Sequence, residues 1–147
     1  MTHRIVCLCI LHVVCVGCAT RPQFKPVAPG PLLHCFAIAA DSGHPSFMVS
    51  KILLGTRPLF DTWRAGTVRP ERHSSGRKME VRWRSMEGDS TLIEWWLPAT
   101  ALGPVGILIA KLTSDSLSGR ATAGSDVIPL GPWILVHGHR EPCAPGA

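Results

Sequence analysis

Between residues 79 and 85 the chain alternates cleanly, with Met79, Val81 and Trp83 on one side and Glu80, Arg82 and Arg84 on the other. The apolar stretch 91–97 repeats the pattern, placing Ile93, Trp95 and Leu97 together with Glu94 opposite. Side chains of a strand point alternately to its two faces, so this period predicts strands with one buried face each. Glu87-Gly88-Asp89 between them is turn chemistry, and the pair therefore predicts an antiparallel hairpin. Setting Trp83 opposite Ile93 and Val81 opposite Trp95 stacks the two apolar faces and brings Arg82 across from Glu94. A slip of one residue would drive Arg82 into the apolar layer, so the register is well specified.

Apolar runs at 33–40, 106–112, 117–123 and 133–138 are separated by Ser/Asp/Gly and Gly-Pro breaks and predict further strands. Residues 47–54 fit neither period well, which leaves a strand or a short helix open. No segment carries a sustained helical stripe. About six to eight short strands with frequent turns predict a mainly β fold: a single small antiparallel β-sandwich or a lipocalin-like barrel. The lipocalin likeness is one of length and strand number, and fold does not imply function.

The amino-terminal segment has a different character. It opens Met-Thr-His-Arg, continues through the apolar residues 5–16, and reaches Cys15-Val16-Gly17-Cys18. A basic start, a short apolar run and a small residue before a cysteine resemble a bacterial lipoprotein signal peptide. Gly17 and Cys18 match that family's pattern, while Cys15 stands where Leu is usual. The resemblance implies cleavage before Cys18, acylation of its thiol and a chain fixed to a cell membrane or outer membrane, with its domain in the periplasm or outside the cell. In two-membrane bacteria an Asp after the lipidated cysteine tends to retain the protein at the inner membrane. Ala19 occupies that place, which leans to the outer one.

Other readings of this segment compete. A transmembrane helix needs about 20 apolar residues, more than the run contains. Cleavage after Ala19 would release a soluble protein. Cys7, Cys9, Cys15 and Cys18 could be metal ligands, but zinc sites pair cysteines within polar loops, and these lie in an apolar run.

The expected organisation is a signal peptide over 1–17, a lipid-anchored tether over 18–31, a β domain over 32–140 and an irregular tail over 141–147. Arg21-Pro22, Lys25-Pro26, Ala28-Pro29 and Gly30-Pro31 make the tether extended and semi-rigid. The mature chain suffices for one domain with a real core and is too short for two. Processing would leave Cys35 and Cys143 as the free thiols, and in an oxidising compartment two such cysteines pair, which predicts a disulfide.

Composition adds one asymmetry. The formal net charge is +5, and residues 57–84 carry a net positive charge equal to that of the whole chain. Arg69, Arg72, Arg77 and Lys78, interspersed with Pro70, Ser74, Ser75 and Gly76, predict an exposed basic loop. Its functional reading is contact with an anionic envelope component, and its plain reading is a solvated loop in an arginine-rich chain. Nucleic acid is a poor candidate, because no binding motif is present.

The remaining chemistry is sparse. Trp63, Trp83, Trp95, Trp96 and Trp133 could stack on sugar rings, but alternation turns Trp83 and Trp95 inward, leaving Trp96 beside Leu92 on the Glu94 face. His137 and His139 would share a strand face and could hold Zn²⁺ with Cys143 or Cys35, in direct competition with the disulfide. Asp41-Ser42-Gly43 resembles an aspartic-protease triplet, but His44-Pro45 comes next where that family continues differently, and a turn explains it. No nucleophile elbow, phosphate loop or dinucleotide fingerprint occurs. The expectation is therefore a binding or accessory module at the cell envelope with no cofactor. Its partner would be the membrane through its lipid and an anionic envelope component or a protein. A carrier of an apolar ligand and a zinc-binding protein are the alternatives.

Overall fold

The computed structural model describes residues 28–43, 45–72, 76–96, 105–124 and 131–143. Cys18, the signal-peptide region and most of the tether lie outside the described residues.

Strands β1 (Leu32–Ala40), β2 (Lys51–Pro58), β3 (Arg64–Arg69), β4 (Glu80–Ser85), β5 (Ser90–Trp96), β6 (Gly106–Leu112), β7 (Ser116–Ala123) and β8 (Ile134–Arg140) succeed one another along the chain. Each pairs antiparallel with the next, and β8 returns to β1, closing an up-and-down barrel. Of the two expected architectures the barrel is the one adopted. Pairing of Phe36 with Arg140 and Ala40 with Val136 removes the edge that a sandwich would leave open.

The predicted hairpin forms in its predicted register: Val81 faces Trp95, Arg82 faces Glu94, and Trp83 faces Ile93. Residues 47–54 divide: β2 begins at Lys51, and residues 47–49 instead fold across one end of the barrel with Met48 and Val49 buried. Strand β3 falls where the sequence shows no alternation. Its Gly66 lies where a Cβ would stand 3.0 Å from both Leu53 O and a Val81 methyl carbon.

The lumen is filled by side chains. Phe36, Ile38, Ile52, Leu54, Val68, Val81, Trp83, Ile93, Trp95, Leu108, Leu117 and Val136 form one buried cluster, joined by Met48 and Met79. Eight strands enclose a space about wide enough for such a core. Both inward indoles are hydrogen-bonded, Trp83 Nε1 donating to Gly55 O and Trp95 Nε1 to Phe47 O, each at 3.0 Å. The second bond ties the plug of residues 47–49 to the core. The outer wall carries Lys51, Arg82, Arg84, Glu94, Lys111, Arg120, His137 and His139. Apolar inside and charged outside is the reverse of a barrel that spans a bilayer.

The topology gives the barrel two unlike ends. At the entry end the chain arrives at β1, β8 runs out, and the β2–β3, β4–β5 and β6–β7 connections turn. At the far end lie the plug, the β3–β4 hairpin and the β5–β6 and β7–β8 connections. The last tether residues run extended beside β2, with Arg57 N donating to Pro29 O at 3.1 Å and Thr56 N to Pro31 O at 3.0 Å. Gly55 permits this approach, since a Cβ there would stand 2.0 Å from Pro29 O.

Candidate functional site: a cationic hairpin

The hairpin begins where β3 ends. Arg69 closes that strand, is joined to Pro70 by a cis peptide bond, and forms an ion pair with Glu71. Beyond it Arg72 pairs with Lys78 in a short antiparallel bridge, and Met79 N donates to Glu71 O at 2.7 Å. Direct partners across a ladder send their side chains to the same face, so Arg72 and Lys78 leave together and Arg77 leaves on the other side. Arg72 donates from one guanidinium nitrogen to Gly76 O at 2.8 Å, which holds the turn closed. Arg77 and Lys78 are exposed and make no ion pair with any described residue.

The structure thus brings Arg72, Arg77 and Lys78 onto one projecting ribbon. Arg69 differs from the expectation of a loop residue: it belongs to β3, is half-buried, and has a carboxylate beside it. His73, Ser74 and Ser75 lie outside the described residues.

A second concentration of charge lies on the outer wall of β4 and β5. Arg82 Nε donates to Glu94 Oε2 at 2.5 Å, and Glu94 is 1% exposed. The Arg82 guanidinium also lies 4.2 Å from the Trp63 ring centre and 4.9 Å from that of Trp96, while Arg84 lies 4.8 Å from Trp63. Burial raises the Glu80 carboxyl above its usual range, opposed by a hydrogen bond from Trp96. Trp63, Leu92 and Ile107 form a second buried cluster under this layer. The indole faces that a sugar would need are therefore covered by arginines of the same chain. Arg120 covers Trp133 in the same way, at 4.8 Å. This wall is packing with a polar lid, held by cation–π contact.

The two described cysteines are paired. Cys35 and Cys143 form a disulfide with their Cα atoms 5.5 Å apart, fastening the segment after β8 to the wall of β1. That removes the thiolate on which the zinc reading depends. His137 and His139 do share the outer face of β8, but His137 Nε2 lies 2.7 Å from Asp41 Oδ1 and His139 lies 3.6 Å from Glu141. Among the described residues no three His, Cys, Asp or Glu side chains are grouped to hold a metal ion. Asp41-Ser42-Gly43 is the turn that ends β1, with Gly43 at a φ of 91°.

At the entry end a notch of about 500 Å³ lies between two turns, lined by Ser85, Met86, Asp89, Ser90 and Thr91 on one side and by Lys111, Leu112 and Thr113 on the other. On β1, His34 stacks on Phe36 with its Nδ1 buried and without a partner among the described residues. Burial lowers the His34 pKa, and the charge of Arg140 lowers it further.

No family model matches the chain, and the searches of curated proteins and of solved structures find no similar protein.

Proposed function

We propose that this is a membrane-anchored envelope lipoprotein, acylated at Cys18, whose barrel is a binding or accessory module acting through its outer surface. The observation that carries the binding reading is the far-end ribbon. Arg77 and Lys78 are exposed and form no ion pair with a described residue, and Arg72 stands beside them. Guanidinium groups favour phosphate and carboxylate, to which they can offer paired donors. An anionic envelope polymer, rich in phosphodiesters, fits that chemistry. The Cys35–Cys143 disulfide supports the address, because such bonds persist in exported proteins.

A carrier of apolar ligands has less behind it. Trp83 and Trp95 occupy the lumen, and both indole N–H groups are already committed to backbone carbonyls.

The test is capture of a soluble glycerol-phosphate polymer by the full chain and by a variant carrying Arg72→Gln, Arg77→Gln and Lys78→Gln. Each basic side chain near an anionic surface contributes about 1 kcal/mol, so removing the three weakens capture by roughly 100-fold at low salt. Unchanged capture by the variant would refute the hairpin as the binding surface.

A further inference from the structure

The two ends of the barrel differ in more than charge. Among the described residues four large apolar side chains are exposed: Leu33, Phe60, Met86 and Leu135. Three of them belong to the entry end. Leu33 lies at the start of β1 and Met86 in the β4–β5 turn, each 40% exposed, while Phe60, 48% exposed, lies in the β2–β3 connection with its ring 6.4 Å from that of Trp63 and 5.8 Å from the Arg82 guanidinium. Leu135, at 64% the most exposed of the four, stands apart on the outer wall at the start of β8, toward the far end. The entry end also mixes its charges, with Arg57 and Lys111 exposed alongside Asp61, Glu87 and Asp89. The far end presents Arg72, Arg77 and Lys78.

We infer that the entry end is a membrane-facing rim, on which Leu33, Phe60 and Met86 rest in the lipid interface while the cationic hairpin points away from that bilayer. The inference rests on the lipid-anchor reading for the attachment and on the topology for the direction. The occupant is indicated by where the chain outside the barrel leads. The residues before Ala28 join the barrel at this same end, held along β2 by the bonds to Pro29 and Pro31. They lead back to Cys18 over a stretch that reaches at most about 35 Å when extended. The point of attachment at the entry end is therefore kept within about 35 Å of the lipid. Scattered apolar side chains among mixed charges suit an interface of any headgroup charge. A single-sign patch would have demanded anionic lipid.

The consequence concerns the ligand. Phosphodiesters are offered both by the anchoring bilayer and by envelope polymers, and this orientation assigns the hairpin to the polymer. Arg72, Arg77 and Lys78 would sit a full barrel length from the headgroups to which the chain is attached.

The methionines report the orientation directly. Met86 lies on the entry rim, whereas Met48 belongs to the plug and Met79 to the base of the hairpin, both at the far end. The full chain is labelled with ¹³C-methyl methionine and placed on phosphatidylcholine nanodiscs containing a lipid with a nitroxide on its acyl chain. The expected result is broadening of the Met86 methyl signal several-fold beyond that of Met48 and Met79. A combined Leu33→Ser and Phe60→Ser variant should reduce that contrast. Equal broadening of all three, none at all, or greatest broadening at Met79 would overturn the orientation. The same measurement with the N terminus coupled chemically to a phospholipid separates the two readings. Preferential broadening of Met86 there, together with an unacylated natural chain, would sustain the rim and reject the anchor.

Discussion

The indole of Trp95 lies over Gly106, its direct partner across β5 and β6, so closely that a Cβ on Gly106 would stand 2.4 Å from the ring. The glycine makes room for the largest side chain fully buried in the lumen. Trp95 in turn reaches the plug through its bond to Phe47 O. One small residue thus connects the wall, the core and the closed far end.

Gly106→Ala should therefore destabilise the barrel by about 1–3 kcal/mol, the range for overpacking a tight core. Chemical denaturation measures the loss. Trp95→Phe should lose less, about 1–2 kcal/mol, and should increase amide exchange in residues 47–49 more than elsewhere, because the tie to the plug is cut.

Arg82 carries a different share of the stability, holding Glu94 while lying against Trp63 and Trp96. Arg82→Ala should cost about 3 kcal/mol, since it withdraws a partner from a carboxylate that is out of water. Arg82→Lys keeps the charge but not the planar stacking, and should recover only part of that loss. Urea midpoints of the two variants decide the order.

The Cys35–Cys143 bond closes a loop with a sequence separation of 108. Chain entropy for such a loop sets an upper figure of about 4–5 kcal/mol, and measured losses commonly fall below it. Cys35→Ser with Cys143→Ser should lower stability by about 2–4 kcal/mol, and reductant should then leave the variant's midpoint unchanged while lowering that of the natural chain.

His34 predicts a pH dependence. Burial, and then the charge of Arg140, hold its folded-state pKa below the ordinary value of 6.5. The unfolded chain therefore takes up the proton first on acidification. The contribution of the neutral imidazole is complete above that ordinary value and is lost as pH falls through it toward the folded value. His34→Gln should flatten the decline in stability between neutral pH and about pH 5. An unchanged slope would place the dependence on other groups.

The legibility of each element in the sequence depends on whether its period survives burial. In β4 and β5 apolar and charged residues alternate, and Arg82 and Glu94 forbid a slipped register, so the register of the hairpin is legible to the residue and its strand ends to within one, Leu97 lying outside the described residues. In β2 the residues Ile52, Leu53, Leu54 and Gly55 are all buried, which erases the alternation. In β3 the small residues Ala65 and Gly66 are both buried, and Gly66 is dictated by the closeness of β2 and β4, which leaves no hydrophobic signature. Closure of β1 on β8 depends on pairing distant in sequence, which local pattern does not encode. The same holds for the candidate site. Exposure of Arg72, Arg77 and Lys78 could be anticipated from the flanking Pro, Ser and Gly. The cation–π cover on Trp63 and Trp96 needed the β2–β3 connection to fold onto the wall, and the opposition of hairpin and entry rim needed the complete strand order.

The central claim, an anchored and oxidised envelope module, is tested most directly by peptide-level mass spectrometry of the protein taken from its host's membrane fraction. The predicted result is a mature chain beginning at acylated Cys18, with Cys35 cross-linked to Cys143. An unacylated chain that retains residues 1–17, with both thiols free, would contradict it.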